Sequence, residues 1–424
     1  MIRHLYIFAA NIALVILIWG YTTSSHAAMN SFKTPNTFAD ESSPYTDIKI
    51  ELGPRPFFLI NNMDESPLKK ALLSCSKKSM IKSSFSIAHR GAPLQFPEHS
   101  KESYEAAAKM GAGIIECDVT FTKDKELVCR HSQCDLHRTT NILDTKLAKK
   151  CTSPPDYNSS LPFKQVRCCT SDITLSEFKS LYAKMDSGDS DAKTLKEYLN
   201  ATKTWRTDLY STKAMLMTHK ESIKLFKKMH VKMIPELKNP EINMPYDGFD
   251  QKKFAQKLIN EYKEEGIDPK DVFPQSFNLE DIIYWSNNEP KYAIQAVLLE
   301  GLKKESDLEY ATMRLSELKH KGVKIIAPPI WALVTIDKNN LIIPSQYAKK
   351  AKNLGLDIIT WSLERSGPLN HGGGWFYKSI SSAINKDGDV YTLLDILAKK
   401  IEIKGIFSDW PATVSYYANC MQYF

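Results

Sequence analysis

Carboxylates with a spacing suited to metal binding stand out first in this sequence. Glu116 and Asp118 lie two residues apart in the apolar segment "GIIECDV", and Glu236 lies in "VKMIPELK". Alternate residues of a strand point to the same side, so Glu116 and Asp118 share a face. Converging carboxylates repel one another unless a cation binds between them, and oxygen ligands favour Ca²⁺ or Mg²⁺ over zinc. The sequence therefore predicts a divalent metal site at these three residues; salt bridges to Arg90 and Lys238 are the alternative.

Two histidines and two cations accompany the carboxylates. His89 and Arg90 end the segment "SFSIAHR". Because only "TKDK" separates "IIECDVTF" from "ELVCRH", the second segment must return antiparallel, which places His131 beside Glu116. An imidazole can donate or accept a proton near neutral pH, so His89 and His131 are candidates for the general acid and base. Arg90 and Lys238 are candidates for holding a phosphate.

Eight β-rich segments separated by helical stretches would position these side chains. They are "SFSIAHR", "GIIECDV", "VKMIPELK", "VFPQSF", "YAIQAVLL", "VKIIAPP", "LDIITWSL" and "KGIFSDW". Most are nearly continuous apolar runs, as expected for parallel strands covered on both faces. The alternation predicts an α/β fold, a (β/α)₈ TIM barrel with a large loop-rich insertion after the second strand. A doubly wound open sheet is the alternative, but no glycine-rich dinucleotide turn follows any strand.

The helices can be placed from the same pattern. The first crossover helix is predicted to follow Ser100 as its N-cap and to end at Gly111. Further helices are expected over residues 252–265, 305–321, 346–354 and 391–400. Barrel enzymes carry their chemistry at the C-terminal ends of the strands, where Gln275, Ser276, Trp361 and Asp409 are also expected.

Three regions complete the predicted organisation. Residues 1–27 are predicted to be a signal peptide, with an apolar run after Arg3; an uncleaved membrane anchor is the alternative. Residues 28–82 form an N-terminal extension. Residues 83–424 carry the barrel, with the insertion at about 132–220, in which only "TLSEFKSLYAKM" is clearly helical. We therefore expect an exported protein, periplasmic or secreted, with no membrane insertion after signal removal.

Charge and cysteine content narrow the class of protein further. The net charge of +7 suits an anionic substrate, and its thin distribution argues against nucleic acid as a partner. All eight cysteines follow the predicted signal peptide, where disulfides are permitted. Cys75 and Cys420 could join the two ends of the fold, while the other pairings and the oligomeric state stay open. "NHGGGWFY", residues 370–377, is either a rim loop that closes over substrate or an ordinary surface loop.

The motifs "HRG", "PEHS", "ECDVTFTKD", "LVCRH", "PELK", "QSF" and "GIFSDWP" occur in this order over about residues 84–131 and 231–412. In this respect the chain resembles the glycerophosphodiester phosphodiesterase family. The resemblance implies a (β/α)₈ barrel with a small insertion domain. It also implies hydrolysis of glycerophosphodiesters to an alcohol and sn-glycerol 3-phosphate with a divalent metal.

The resemblance also implies roles for individual residues. The metal ligands would be Glu116, Asp118 and Glu236, the acid–base pair His89 and His131, and the phosphate contacts Arg90 and Lys238. Glu98 occupies the acidic position that supports the "HRG" loop, and Trp361 matches an aromatic residue that walls the glycerol end. Two departures are the residue after the second histidine, Ser132 where an acidic residue is common, and the long cysteine-rich insertion.

Three other functions stay open at this point. The first is a lysophospholipase D-like enzyme acting on an acylated substrate, which an apolar groove formed by the insertion would favour. The second is a non-catalytic exported protein that binds phosphodiesters. The third is a structural or interaction module of the cell surface. For the enzyme itself, either water or the neighbouring glycerol hydroxyl could be the nucleophile.

Overall fold

A computed structural model describes residues 48–208, 210 and 213–424 of the chain. The predicted signal peptide lies outside these residues, and the domain boundaries given above stay a prediction. Within the described part, every helix is too short or too polar to cross a lipid bilayer.

Thirteen strands are present in the described residues. They are β1 (Ser83–Ala88), β2 (Ala112–Phe121), β3 (Leu127–Cys129), β4 (Tyr182–Ala183), β5 (Ala214–Met215), β6 (Lys232–Leu237), β7 (Gln275–Ser276), β8 (Val297–Leu299), β9 (Ile325–Ala327), β10 (Val334–Ile336), β11 (Ile342–Pro344), β12 (Asp357–Leu363) and β13 (Gly405–Ser408). The order β1-β13-β12-β9-β8-β7-β6-β2 is parallel throughout and closes through pairing of β1 with β2. The predicted (β/α)₈ barrel is confirmed, and each of the eight predicted segments supplies one of its strands.

The interior of the barrel explains why these segments are so apolar. Its core consists of inward-facing side chains from the parallel strands: Ile87, Ile114, Ile234, Val297, Leu299, Ala327, Ile359 and Phe407. The opposite face of each strand packs against helices in a larger core. Since both faces are buried, the strands read as continuous apolar runs. β3 pairs antiparallel with the end of β2, as predicted, with Val119 opposite Cys129.

Fifteen α-helices are found in the same residues. They are α1 (Arg55–Asn61), α2 (Pro67–Ser74), α3 (Lys101–Lys109), α4 (Leu136–Thr139), α5 (Leu175–Phe178), α6 (Leu195–Leu199), α7 (His219–Lys228), α8 (Gln251–Glu264), α9 (Leu279–Asn288), α10 (Pro290–Ala293), α11 (Asp307–His320), α12 (Ile330–Leu333), α13 (Gln346–Asn353), α14 (Asp389–Ile396) and α15 (Pro411–Met421). In α3 the predicted N-cap is confirmed, since the Ser100 hydroxyl accepts from the Ser103 backbone N–H at 3.2 Å. Gly111 follows this helix with a φ of +82°, a conformation that favours glycine.

The inserted region has a small core of its own, with Ile142, Phe163 and Phe178 fully or nearly buried. One expectation for it was wrong, because "TLSEFKSLYAKM" forms only the short helix α5. The Thr174–Glu177 capping box starts that helix. The chain then extends into β4 to pair with β5, which buries Ala183 in the inserted core. Tertiary pairing here outweighs local helix propensity.

Disulfides link the two ends of the fold, two neighbouring strands and parts of the inserted region. All eight cysteines are paired, as Cys75–Cys420, Cys117–Cys129, Cys134–Cys169 and Cys151–Cys168. The first bond ties the residue after α2 to α15, as the sequence suggested. The second links β2 to β3, and the last two hold the inserted region together. This arrangement is typical of proteins that fold in an oxidising compartment.

Candidate active site

A cavity of about 190 Å³ opens where the barrel strands end. Its walls are formed by His89, Arg90, Glu116, His131, Glu236, Lys238, Phe277, Leu299, Trp361 and Phe407. Seven of the nine site residues expected from the sequence therefore line one cavity. The other two, Glu98 and Asp118, are buried at 2% and 1% exposure and contact Arg90 from behind the wall.

The three predicted metal ligands meet at one point. Asp118 of β2 lies directly opposite Glu236 of β6 in the parallel register. Glu116 lies two residues earlier on the same face of β2. One carboxylate oxygen from each residue lies within 4.8 Å of the others. Burial and the neighbouring carboxylates Asp118 and Glu236 hold the pKa of Glu116 well above its usual range. Burial likewise raises the pKa of Glu236 to about 8.

Cations and amides satisfy part of this negative charge. Lys238 Nζ lies 2.5 Å from Glu236 Oε1, and Arg90 Nε lies 3.4 Å from Asp118 Oδ2, so both cations considered as alternative partners form salt bridges with the cluster. Glu116 accepts from the Arg90 backbone N–H at 3.0 Å and from Gln275 Nε2 at 2.9 Å. Asp118 Oδ1 is buried and finds no hydrogen-bond partner among the described residues. Three oxygen donors with one unsatisfied atom fit a hard divalent cation.

His89 is held by a residue to which the sequence had assigned no role. Its Nδ1 lies 2.5 Å from Asp409 Oδ1, while its Nε2 is on the side of Glu116, 3.9 Å from Oε2. Because a carboxylate only accepts, Nδ1 carries the proton and Nε2 is free to accept one. Burial and the adjacent Arg90 lower the pKa of His89 to about 4. At neutral pH the imidazole is therefore uncharged, with Nε2 able to accept a proton.

His131 follows β3 and reaches the same cavity. Burial, followed by the charges of Arg90 and Lys238, lowers its pKa well below the usual value. The position after it, where the resemblance leads us to expect an acid, is occupied by Ser132, whose backbone N–H donates to Asp135 Oδ2 at 3.0 Å. Asp135 thus supplies a carboxylate near the second histidine from a different position in the chain.

The "HRG" turn owes its shape to close packing. Gly91 has a φ of +98°, and a Cβ there would lie 2.2 Å from Ser103 Oγ of α3, so only glycine fits. The turn presents Arg90, whose Nη1 donates to Glu98 Oε2 at 3.0 Å and whose Nε lies 3.4 Å from Asp118 Oδ2. Glu98 therefore holds the Arg90 side chain.

An aromatic wall closes the other side of the cavity. Trp361 donates its indole N–H to the Ala327 carbonyl at 2.8 Å, which fixes the ring. Phe277 packs edge-on against it at 6.2 Å, and Trp375 of the glycine-rich 370–377 segment stacks on it at 5.7 Å. The position of Trp361 suits a contact with an uncharged part of a substrate.

Several supporting residues carried little or no signal in the sequence. Gln275 and Asp409 were expected at strand ends, but the residues that they contact were not predicted. His99, within "PEHS", donates from Nε2 to Asp118 Oδ2 at 2.9 Å, and its Nδ1 accepts from the Tyr104 hydroxyl at 2.9 Å. The remaining two are Arg206 and Arg365, which lie in irregular segments and contact Asp409.

Comparison with known proteins places this site in a family. The model of the glycerophosphoryl diester phosphodiesterase family matches residues 89–413. An "Extracellular protein" of Arthroderma benhamiae is 45% identical over 242 residues, 56% of this chain and 99% of that protein. A glycerophosphodiester phosphodiesterase of Arabidopsis thaliana is 26% identical over 353 residues, 78% of this chain and 85% of the plant protein.

The fold is shared with a solved structure as well. A Silicibacter pomeroyi protein assigned to the glycerophosphoryl diester phosphodiesterases superposes with a TM-score of 0.50 at 14% identity, covering 82% of this chain and 98% of that one. This likeness shows the fold alone. From the match over residues 89–413, the chain belongs to the glycerophosphoryl diester phosphodiesterase family, and the expectation of an enzyme of this kind is confirmed.

Proposed function

We propose that this chain hydrolyses glycerophosphodiesters to an alcohol and sn-glycerol 3-phosphate, using a bound divalent cation. The observation that carries the proposal is the meeting of Glu116, Asp118 and Glu236 within 4.8 Å at a cavity that two histidines also line. Family membership supports the reaction type, as does the similar Arabidopsis thaliana protein, whose name is that of a glycerophosphodiester phosphodiesterase.

Glu116, Asp118 and Glu236 would hold the cation, and their oxygen donors fit Ca²⁺ or Mg²⁺. When bound, such a cation supplies positive charge that offsets the charge developing on the phosphoryl oxygens. Arg90 and Lys238 line the same cavity. Their side chains would bind the non-bridging oxygens of the phosphodiester, so that substrate and carboxylates do not repel each other.

The two histidines would move the protons. One accepts the proton of the attacking hydroxyl while a new P–O bond forms, and the other protonates the leaving alcohol as the old P–O bond breaks. His89 is suited to the accepting role because Asp409 holds its Nδ1 and leaves Nε2 free. The attacking hydroxyl belongs to water or to the neighbouring carbon of the glycerol. In the second case the leaving alcohol departs from a cyclic phosphate, and water then opens that ring to give sn-glycerol 3-phosphate. Trp361 would pack against the glycerol end of the substrate.

An exported location fits this activity. Four disulfides are present in the described residues, and the similar Arthroderma benhamiae protein is named for an extracellular location. Glycerophosphodiesters are phospholipids that have lost their acyl chains, so the product would serve phospholipid and glycerol metabolism outside the cytoplasm, in the periplasm or the medium.

The lysophospholipase D-like alternative gains less support. It would be favoured by an apolar groove formed by the insertion, but within the described chain the residues lining the cavity come from the barrel strands and the segments directly after them. A cavity of about 190 Å³ suits a glycerophosphoryl group better than an acyl chain.

A substrate panel tests the proposal. The purified chain would be incubated with glycerophosphocholine, glycerophosphoethanolamine, glycerophosphoinositol and lysophosphatidylcholine, in EDTA and with Ca²⁺ or Mg²⁺ restored separately. We expect equimolar alcohol and sn-glycerol 3-phosphate from the glycerophosphodiesters, with release abolished by EDTA. His89→Ala should eliminate release, whereas His320→Ala, an exposed histidine at the end of α11, should not. Release that is undiminished in EDTA would contradict the metal requirement.

A further inference from the structure

Asp409 is a junction between the catalytic histidine and two arginines. Its Oδ1 contacts His89 Nδ1 at 2.5 Å, and its Oδ2 accepts from Arg365 Nη1 at 2.9 Å and from Arg206 Nη2 at 3.2 Å. The carboxylate is fully buried, and the side chain of Arg206 is only 7% exposed. Each oxygen therefore has a defined partner, and rotation of the carboxylate would break contacts on both sides.

The two arginines come from different parts of the chain. Arg365 follows β12 at the mouth of the barrel, whereas Arg206 belongs to the inserted region and lies 203 residues away from Asp409 in sequence. Asp409 itself follows the last barrel strand, β13. The contact from Arg206 is thus a direct physical link between the inserted region and the group that holds His89.

The residues directly before and after Arg206 hold its segment against the mouth of the barrel. The indole of Trp205 packs so closely on Gly367 that a Cβ there would lie 2.7 Å from the ring. The Thr207 backbone N–H donates to the Leu94 carbonyl, in the segment after β1, at 3.0 Å. Three consecutive residues therefore each contact a different part of the barrel mouth, which fixes where the Arg206 guanidinium lies.

We propose that Arg206 is a positioning residue, through which the inserted region orients the catalytic His89 by way of Asp409. The inference rests on the proposed function, in which His89 transfers a proton. A guanidinium on Oδ2 keeps Oδ1 directed at Nδ1, which fixes the ring orientation and the tautomer that leaves Nε2 free. Arg365 performs part of the same task, so loss of Arg206 weakens the orientation without abolishing it.

The N-terminal extension also contacts the segment that carries Arg365. Arg55 of α1 donates from Nε to Glu364 Oε1 at 3.0 Å, and Glu364 directly precedes Arg365. Glu364 has a φ of +62°, so this ion pair holds the turn that presents Arg365 to Asp409. Segments before and within the barrel both support the histidine.

Steady-state kinetics of Arg206→Ala on glycerophosphocholine test the proposal. A charge-assisted hydrogen bond lost from the support of the base should lower kcat about tenfold, with KM changed by no more than about twofold. Guanidinium ion added at millimolar concentration should restore part of kcat, because it can occupy the space beside Asp409 Oδ2. Arg206→Lys should retain more activity than Arg206→Ala.

Arg167→Ala is the matched control. Arg167 is also in the inserted region and its Nη2 bonds to the Glu241 carbonyl, but it does not contact Asp409. It should keep full kcat and show no response to guanidinium. Full kcat in Arg206→Ala would overturn the inference. A lowered kcat with a matching fall in Tm and no guanidinium rescue would also overturn it, because the effect would then be structural.

Failure of the proposed function is distinguishable from failure of this inference. A wild-type chain inactive on every glycerophosphodiester overturns both. An active wild-type chain whose Arg206→Ala variant is equally active overturns only the positioning role.

Discussion

Glu116→Gln is expected to stabilise the metal-free chain and to remove its response to divalent cations. The carboxylates of Glu116, Asp118 and Glu236 lie within 4.8 Å of one another. At an effective dielectric constant of about 20, each pair of unit charges at that distance repels by about 3.5 kcal/mol. Glu116 takes part in two such pairs when it is ionised, and the proton that its raised pKa lets it hold at neutral pH relieves part of this repulsion. Attraction to Arg90 and Lys238 offsets much of this repulsion, so we expect a net gain of about 2 kcal/mol in the free energy of unfolding.

Thermal unfolding in EDTA and with added cation measures both effects. In EDTA the Tm of Glu116→Gln should exceed that of wild type by about 2 °C, taking about 1 °C per kcal/mol for a chain of 424 residues. Cation at about 100 times its Kd should stabilise wild type by about 2.7 kcal/mol, a rise of about 3 °C in Tm. The variant should show little of that rise, because one ligand is lost.

Glu264→Gln is the control for this experiment. Glu264 is exposed and pairs with Lys220 on the surface, so its replacement should change stability by less than about 0.5 kcal/mol and leave the cation response intact. The reasoning is refuted if Glu116→Gln is less stable than wild type in EDTA, or if it gains as much Tm from the cation as wild type does.

Three further predictions concern one disulfide and two residues around the site. Replacing both Cys75 and Cys420 with Ser should lower the free energy of unfolding in urea by about 4 kcal/mol, because their bond closes a loop with a sequence separation of 345; an unchanged midpoint would contradict this. His99→Gln should weaken cation binding about tenfold by calorimetry, because His99 Nε2 orients Asp118 at 2.9 Å. An unaltered Kd would show that Asp118 is held without it. Trp361→Ala should raise KM for glycerophosphocholine about tenfold with a smaller change in kcat. If kcat falls and KM does not, the ring acts on the chemistry and does not bind substrate.

The barrel and the carboxylate cluster could be predicted because they follow from local patterns. Strands buried on both faces must be continuously apolar, so the eight segments stand out against the helices. Alternation within β2 puts Glu116 and Asp118 on one face, and adjacent parallel strands bring Glu236 of β6 opposite Asp118. Short-range periodicity and the rule for strand ends were sufficient for these residues.

The support of His89 could not be predicted in the same way. Arg206 lies in irregular chain, where no periodicity indicates which residue will reach the barrel, and its contact with Asp409 spans 203 residues. The helix expected over "TLSEFKSLYAKM" failed for a related reason, since β4 forms only because β5 pairs with it. Both features depend on tertiary contacts within or beside the insertion, and such contacts leave no pattern in the sequence nearby.

A crystal structure of the chain with Ca²⁺ or Mg²⁺ and sn-glycerol 3-phosphate tests the central claim most directly. The account predicts one cation bound by carboxylate oxygens of Glu116, Asp118 and Glu236, with the phosphate between that cation and the side chains of Arg90 and Lys238. A cation bound elsewhere, or a phosphate that lies outside the cavity lined by His89, would contradict it.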